Sequence, residues 1–287
     1  MSDAAGRASR PRRSDQTALR VLDRGDQLRK ELDAARAAGR TVGLVPTMGV
    51  LHEGHASLIR RSAAECDLTA VTVFVNPLQF GPGEDLATYP RDLDGDVQVA
   101  GATGAGVLFA PAVEEMYPGG APAVTVHVAG EDVLEGAARP GHFDGVASVV
   151  TKLFNLAGPC RAYFGEKDWQ QLRVVRRLVA DLSFPVEVVA CPTVREADGL
   201  ALSSRNVKLS PDERRAATVL YRALSTAAIA GAAGECDVRL LMVNMVAKEP
   251  LATLDYAEVL PDRLLIAARL GSVRLIDNIH IEGPGVH

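Results

Sequence analysis

The chain's two closely spaced histidines, His52 and His55, are the residues whose type and spacing most directly suggest chemistry. They follow a short apolar run, residues 42–46, with Gly49 before them and Gly54 between them. A strand that ends in glycines and opens into a helix presents backbone N–H groups of the kind that bind phosphate. Because residues three apart lie on one face of a helix, both imidazoles could reach the same anion.

Two alternatives compete with a phosphate site at this motif. A metal site is the nearer one, but the metalloprotease pattern places its two histidines four residues apart, whereas His52 and His55 are three apart. The other alternative is a pair of solvent-exposed histidines at the start of a helix, which we predict over residues 55–64. The motif taken alone does not decide between them.

Polar residues also follow the other predicted strands. Clusters lie at residues 76–80 (Asn-Pro-Leu-Gln-Phe), 165–168 (Gly-Glu-Lys-Asp) and 203–206 (Ser-Ser-Arg-Asn). In an open parallel sheet, ligands bind beyond the carboxyl ends of the strands. The sequence therefore predicts that these clusters and the two histidines converge on one rim.

The elements that must position these clusters alternate between strands and helices. Unalternating apolar runs are typical of strands buried on both faces of a parallel sheet, and helical spacing marks the segments between them. Strands are predicted at 42–46, 69–75, 107–110, 161–164 and 186–190, and helices at 146–156 and 169–182. Residues 124–128 form either an edge strand or part of an excursion. This order predicts an α/β fold: a doubly wound parallel sheet, Rossmann-like, with right-handed crossovers.

From residue 193 onward the pattern changes to helical runs followed by short strands at 254–259, 264–268 and 273–276. We predict three parts of the chain. Residues 1–16 form a disordered basic tail, residues 17–192 a nucleotide-binding Rossmann-like domain, and residues 193–287 a smaller C-terminal α/β lid domain.

Composition narrows the class of protein. The 287 residues are 47% hydrophobic and 23% charged, with a formal net charge of -5, which gives no sign of a nucleic-acid-binding surface. No apolar run is long enough to span a bilayer. The four cysteines include no Cys-x-x-Cys pair, which is typical of reduced thiols in a cytoplasmic protein and excludes a zinc ribbon.

The polar clusters together suit ATP. A triphosphate needs cations and short hydrogen-bond donors, and Lys167, Ser203, Ser204 and Arg205 supply them beside the histidines. A P-loop motif is absent from the sequence. The glycines of residues 101–106 precede a strand instead of following one, so we interpret them as a helix-to-strand turn.

The same residues resemble a known family. Residues 46–49 with 52–55 resemble the His-x-Gly-His signature of the nucleotidylyltransferase superfamily, and residues 203–206 resemble its second phosphate-binding motif. Within that superfamily the chain resembles the pantothenate synthetase (pantoate–β-alanine ligase) family from about residue 17 to 282. The segments that carry this resemblance are 74–80, 89–91, 134–136, 139–143, 165–171, 198–206 and 274–278.

The resemblance implies an ATP-dependent ligase that joins pantoate to β-alanine through a pantoyl-adenylate and releases pyrophosphate and AMP. The residues that it assigns to catalysis are His55 as the donor to the phosphate, with His52, Lys167, Ser203 and Arg205. The residues that it assigns to ATP are Met48, Gly49, Val50, Leu51, His52, Glu53, Gly54, His55, Gly165, Glu166, Lys167, Asp168, Val194, Leu202, Ser203, Ser204 and Arg205. It assigns Gln79 and Gln171 to pantoate, and Gln79 also to β-alanine.

The resemblance further implies Mg²⁺ and a homodimer. Asp96 is a candidate for reaching the metal, and a solvated helix face is its alternative. His142 either fixes the rim or contacts substrate, and Tyr89 either closes over the pocket or packs at a loop start. The connection between Glu258 and Leu264 is shorter than is usual in the family.

Two other functions remain open at this stage. One is a different adenylyl- or cytidylyl-transferring enzyme of the superfamily with another acceptor, against which Gln79 and Gln171 argue. The other is a binding protein that has kept the fold without catalysis.

Overall fold

The computed structural model describes residues 18–232 and 237–282. The tail predicted at residues 1–16 therefore lies outside the described residues. The first part of the chain alternates strands and helices in this order: β1 (Arg20–Leu22), α1 (Gly25–Ala37), β2 (Val42–Thr47), α2 (Glu53–Glu65), β3 (Leu68–Val73), α3 (Leu93–Ala102), β4 (Val107–Phe109), α4 (Val113–Met116), α5 (Glu135–Ala138), α6 (His142–Ala157), β5 (Cys160–Gly165), α7 (Trp169–Asp181) and β6 (Val186–Cys191). Short 3₁₀ turns lie at Pro77–Gln79 and Glu166–Asp168.

These strands form one six-stranded sheet in the order β1-β4-β3-β2-β5-β6, and all of its pairs are parallel. Helices cover both faces. One apolar cluster joins α1 and α6 to the sheet through Leu28, Leu32 and Phe154, and another joins α2 to it through Ile59 and Tyr163. The predicted doubly wound fold is confirmed.

The register between β2 and β5 is short. Only Gly43 with Arg161 and Leu44 with Ala162 are paired, whereas β2 pairs with β3, and β5 with β6, along six residues each. The two central strands therefore part toward their carboxyl ends. The order of the strands also reverses between them, since β3 lies on one side and β6 on the other.

The rest of the chain contains α8 (Pro211–Ala216), α9 (Val219–Ala232), α10 (Val238–Ala247), β7 (Ala252–Leu260), β8 (Arg263–Leu270) and β9 (Val273–His280). The three strands form a separate antiparallel sheet, and their apolar face packs with α9 and α10 around Leu220, Leu224 and Met242. The smaller C-terminal α/β unit is therefore present. β7 and β8 are joined by a tight turn at residues 261–262.

Three predictions about local structure have clear outcomes. The turn predicted at residues 101–106 lies between α3 and β4 but is confined to residues 103–106, because α3 continues through Gly101 and Ala102. Residues 124–128 are irregular, so the edge-strand alternative is wrong; Val126 N–H and Val128 N–H donate to Ser148 and Asp144 side chains instead of to a strand. Within the two described ranges, no helix is long and apolar enough to cross a membrane.

Candidate active site

A cleft that is open to solvent lies at the carboxyl ends of β2 and β5, where the order of strands reverses. This is the position at which doubly wound sheets bind their ligands. The predicted residues that line the cleft are Met48, His52, Gly54, His55, Gln79, Gly165, Lys167, Asp168, Gln171, Val194, Leu202, Ser203, Ser204 and Arg205. The structure thus brings together all four polar clusters.

The two histidines form a reciprocal cap at the start of α2. His52 is the N-cap residue, and its Nδ1 accepts a hydrogen bond from Gly54 N–H at 3.1 Å. His55 Nδ1 lies 3.4 Å from His52 N–H, and the two ring centroids are 4.1 Å apart. The helix thus begins at Glu53, two residues earlier than predicted.

This cap determines which ring nitrogens carry the protons. Each Nδ1 accepts from a backbone N–H, so in a neutral imidazole the proton lies on Nε2. Burial lowers the pKa of His55 to about 3, and the neighbouring His52 acts in the same direction. Burial and Lys167 also lower the pKa of His52. Near neutral pH both rings are therefore uncharged Nε2–H donors.

Acid should destabilise the fold through its buried histidines. The folded-state pKa is about 3 for His55 and about 4 for His142, whereas an unfolded histidine titrates near 6.5. Below pH 6.5 the unfolded chain binds protons that the folded chain does not, so stability falls as the pH decreases, by up to about 1.4 kcal/mol per pH unit for each histidine.

Urea unfolding of the wild type and His142→Gln at pH 7 and pH 5 checks this pH dependence. The variant should lose less stability over that interval because it lacks one of the titrating groups. The same loss in both proteins would contradict the assignment.

Lys167 and Asp168 reach the cleft from the 3₁₀ turn that follows β5. Lys167 Nζ lies 3.3 Å from Asp168 Oδ1, and the lysine side chain is 20% exposed. Burial opposes ionisation of Asp168, but Lys167 and Arg205 outweigh it, and the pKa of the carboxyl lies below its ordinary value. The turn therefore presents a fixed cation beside an ionised carboxylate.

The segment with Ser203, Ser204 and Arg205 lines the cleft together with the two histidines. Arg205 Nη2 lies 3.2 Å from Asp85 Oδ1, and its guanidinium carbon lies 5.9 Å from the centre of the Tyr89 ring. Tyr89 Oη and Ser204 Oγ are 3.3 Å apart. Tyr89 is buried and lines the cleft, and its ring packs edge-on against Phe80 at 5.7 Å, so the structure is compatible with both interpretations of this residue.

Gln79 is a buried amide whose orientation is set by Asn76. Asn76 Nδ2 donates to Gly145 O at 3.0 Å and to Gln79 Oε1 at 3.1 Å, while Asn76 Oδ1 accepts from Tyr117 Oη at 2.8 Å. Oε1 of Gln79 therefore faces Asn76 as an acceptor, and Nε2 of Gln79 is directed toward Met48 Sδ at 3.0 Å. An N–H donor therefore faces the cleft.

The backbone of Gln79 is held by His142, for which the sequence left two interpretations, and by Arg139, to which it gave no role. His142 Nδ1 donates to Gln79 O at 2.8 Å, and Arg139 Nη2 donates to the same oxygen at 3.1 Å. Arg139 also donates to His142 Nε2 at 3.0 Å, which leaves the proton of a neutral ring on Nδ1. His142 therefore fixes the rim, as one of its two interpretations stated, and it also lines the cleft.

Asp96 has a different role from either predicted one. It is 2% exposed, so the solvated-face alternative is wrong. Its carboxylate accepts Val50 N–H at 3.1 Å and Leu51 N–H at 2.6 Å, and Asp96 does not line the cleft, so its assignment to a metal is not supported either. Val50 has a φ of 53°, a left-handed conformation that is costly for a β-branched residue. Asp96 holds the loop in that conformation.

Asp96→Asn tests this role. An amide offers one acceptor where the carboxylate offers two, so one backbone N–H would face an NH₂ group. We expect a loss of about 1–3 kcal/mol of stability, with no change in the Mg²⁺ concentration that supports activity. Urea denaturation and a Mg²⁺ titration measure the two quantities. A selective rise in the Mg²⁺ requirement would restore the metal assignment.

Five residues assigned to ATP do not line the cleft: Gly49, Val50, Leu51, Glu53 and Glu166. The first three form the loop that Asp96 holds, and Glu53 forms an ion pair with Arg60. Glu166 contributes its carbonyl to a contact with β9. The lining also includes Leu58, Phe164, Pro192 and Thr193, which belong to none of the polar clusters that the sequence singled out.

Metal binding by side chains alone finds little support in this cleft. Across residues 18–232 and 237–282, no group of three or more histidine, cysteine, aspartate or glutamate side chains could hold a metal ion. The acidic side chain that lines the cleft is Asp168. Such a donor set suits Mg²⁺ bound mainly by substrate phosphates, the usual arrangement for this ion.

Comparisons with known proteins agree with this geometry. The family model described as pantoate-beta-alanine ligase matches residues 20–280. The pantothenate synthetase of Deinococcus radiodurans is 55% identical over 271 residues, which cover 86% of this chain and 96% of that protein. Among solved structures, pantothenate synthetase from Thermus thermophilus is 48% identical with a TM-score of 0.85, covering 91% of this chain and 98% of the other.

A second solved structure contains ligands. It is the pantoate-beta-alanine ligase from Francisella tularensis complexed with beta-gamma ATP and β-alanine, which is 34% identical with a TM-score of 0.80 and covers 92% of this chain and 98% of its own. Family match, relatives and fold all agree over most of the chain. The chain belongs to the pantoate–β-alanine ligase family.

Proposed function

We propose that the cleft condenses pantoate with β-alanine in two steps, using ATP. In the first step a carboxylate oxygen of pantoate attacks the α-phosphorus, the bond to the β-phosphate oxygen breaks, and pyrophosphate leaves. In the second step the amine of β-alanine attacks the acyl carbon, the bond to the phosphate oxygen breaks, AMP leaves, and the amine loses a proton. The observation that carries this proposal is that one cleft is lined both by phosphate-type donors and by a buried amide of fixed orientation.

His55 acts as the catalytic donor in this proposal, with His52 beside it. Its Nε2–H donates to an oxygen of the α-phosphate as negative charge grows there. A neutral donor held by backbone contacts needs no reorganisation during the reaction, which is the basis of electrostatic catalysis. Lys167, Ser203 and Arg205 offset the charge on the departing pyrophosphate. Positioning and charge stabilisation dominate reactions at phosphorus.

Gln79 and Gln171 hold pantoate in this proposal. Both line the cleft together with Met48 and the apolar side chain of Phe164. The Nε2–H group of Gln79 suits a carboxylate without placing a competing charge beside the nucleophile. Gln79 also contacts β-alanine in this proposal, and β-alanine is a ligand in the solved structure of the Francisella relative.

The remaining features of the proposal concern the whole protein. Mg²⁺ enters with the triphosphate, the protein is a cytoplasmic homodimer, and residues 17–192 and 193–287 are its two domains. Among the described residues, Cys160 and Cys191 are free thiols, which supports a reducing compartment. The sheet that ends at β6 and the separate sheet that begins at β7 support the two domains.

Pyrophosphate exchange tests the order of chemistry. Given pantoate and Mg²⁺ but no β-alanine, the protein should exchange labelled pyrophosphate into ATP, because adenylation is complete before the amine is needed. Adding β-alanine should divert the intermediate to pantothenate and AMP, and omitting pantoate should abolish exchange. A strict requirement for β-alanine would exclude a free acyl-adenylate. Exchange with other acids in place of pantoate would favour another member of the superfamily.

A further inference from the structure

Strand β9 of the small sheet contacts the turn that carries Lys167. Asn278 Nδ2 donates to Glu166 O at 2.9 Å and to Lys167 O at 2.8 Å. Asn278 is 4% exposed, so its amide meets both carbonyls away from bulk water. Both acceptors are backbone carbonyls, one of Lys167 itself and one of the residue before it. The two hydrogen bonds therefore constrain the position of the Lys167 backbone, from which the side chain extends.

The amide of Asn278 has one orientation only. Arg263 Nη1 donates to Asn278 Oδ1 at 2.6 Å, and a guanidinium can only donate. The oxygen therefore faces Arg263, and the NH₂ group faces the two carbonyls. Asn278 and Arg263 lie on adjacent strands, where Arg263 pairs with His280, so the contact is a diagonal one on the same face of the sheet.

The neighbouring residue anchors β9 from its other face. Successive residues of a strand point to opposite faces, and Asp277 is bound there by Arg195 at 2.5 and 2.9 Å. Arg195 also donates to Asn278 O at 3.1 Å. Because Arg195 pairs with Ala201, just before the segment with Ser203 and Arg205, β9 is tied to that segment as well.

We propose that Asn278 is a positioning residue for the adenylation step: its amide holds the turn at Glu166–Asp168 so that the Lys167 ammonium is placed on the triphosphate. Asn278 follows Lys167 by more than 100 residues in the sequence, so the small C-terminal sheet determines the position of a cation on the turn after β5. This inference rests on the proposed function, since it assumes that Lys167 acts on ATP.

Two substitutions separate the contact from the volume of the side chain. Asn278→Asp keeps the shape and the contact with Arg263 but turns an oxygen toward the two carbonyls. Asn278→Ala removes the amide and leaves space that water can enter. We expect pyrophosphate exchange to fall in the order wild type, Ala, Asp, with at least about a tenfold loss of kcat for Asp and an unchanged KM for pantoate.

Supplying pantoyl-adenylate separates positioning from general damage. With the adenylate and β-alanine provided, the triphosphate step is bypassed, so both variants should turn over at close to the wild-type rate. Equal losses in exchange and in adenylate conversion would overturn the proposal, as would wild-type exchange by Asn278→Asp. Should Asn278→Asp fail to fold, the Ala variant carries the same comparison.

Leu264→Ala is the matched control for stability. Leu264 lies on β8 and is buried in the apolar cluster that the small sheet forms with α9 and α10. This variant should melt at a lower temperature and keep its exchange rate. A loss of exchange comparable to that of the Asn278 variants would mean that stability of the small sheet, and not the amide, controls the rate.

Hydrogen exchange at residues 166–169 measures positioning without catalysis. Protection there should decrease in Asn278→Asp and remain unchanged in Leu264→Ala. Unchanged protection in Asn278→Asp would overturn the proposal even if the wild type showed no exchange of pyrophosphate. If the wild type showed no pyrophosphate exchange but Asn278→Asp showed the expected loss of protection from hydrogen exchange, only the proposed function would be contradicted.

Discussion

His55→Gln should fold as the wild type does and lose about 10²- to 10³-fold in kcat, equivalent to roughly 3–4 kcal/mol, the typical cost of removing one donor aimed at transition-state charge. Glutamine is chosen because it preserves the reciprocal cap: in a capping box the third helical residue is commonly glutamate or glutamine, which accepts the N-cap N–H. The variant therefore removes the Nε2–H donor while retaining the contact with His52 N–H.

Lys167→Ala should show a loss of similar size, because it removes the cation placed opposite the leaving pyrophosphate. Single-turnover formation of the adenylate, followed with labelled ATP, measures both variants. His127→Ala and Lys248→Ala are the matched controls, since His127 is an exposed residue paired with Asp144 and Lys248 is exposed beyond the end of α10. Turnover of His55→Gln near the wild-type rate would remove His55 as the catalytic donor.

Gly145→Ala should damage both stability and pantoate binding. A Cβ at Gly145 would lie 2.2 Å from Leu78 O and 2.6 Å from Gln79 N, and these are backbone atoms that cannot swing aside. Either α6 or the turn at Pro77–Gln79 must move. Forcing extra volume into a packed core costs about 1–3 kcal/mol, and movement of the turn displaces the Gln79 amide. The KM for pantoate should rise, while the KM for ATP changes little.

Gly101→Ala provides the matched control for this substitution. Gly101 also lies in a helix, α3, and its nearest atom to an added Cβ is Leu19 Cδ2 at 3.7 Å, an ordinary contact. Replacing a helical glycine with alanine at an unstrained position should stabilise the protein by about 0.4–1 kcal/mol. Melting temperature and steady-state kinetics compare the two variants. A wild-type KM for pantoate in Gly145→Ala would show that the turn does not position Gln79.

Much of the fold was predictable because its main strands are continuous apolar runs. β3 and β4 lie inside the sheet and are almost wholly buried, and burial of that kind produces continuous apolar or β-branched runs in the sequence. β1 and α1 were missed for the opposite reason. β1 has three residues, two of them exposed, and the buried face of α1 rests on few apolar residues, such as Leu28 and Leu32, in a run rich in charge.

The site was predictable where side chains act through their own chemistry. Histidine, lysine and glutamine side chains at the ends of strands indicate a polar binding site by their residue type alone, and the structure brings them into one cleft. Asp96 shows the limit of that reasoning. Its acidity suggested a metal, whereas its role depends on the N–H groups of Val50 and Leu51, which lie 46 and 45 residues away in sequence, and no periodicity encodes such a contact.

The contacts that hold the amides were hidden for a related reason. Asn76, Arg139 and His142 act on Gln79 through backbone carbonyls or through a single amide. A carbonyl is present at every residue, so a sequence contains no mark of which one receives a hydrogen bond. Such partners become visible only when the chain is folded.

Because β2 and β5 separate toward their carboxyl ends, the sheet has a gap between its two central strands. Within the described part of the chain, the pairing of these two strands ends at Leu44 and Ala162, and the cleft begins where it stops. Under the proposed function, a nucleotide that contacts both His55 and Lys167 would bridge the two strands beyond the point where their own pairing ends. The substrate would then serve as a temporary structural element of the sheet.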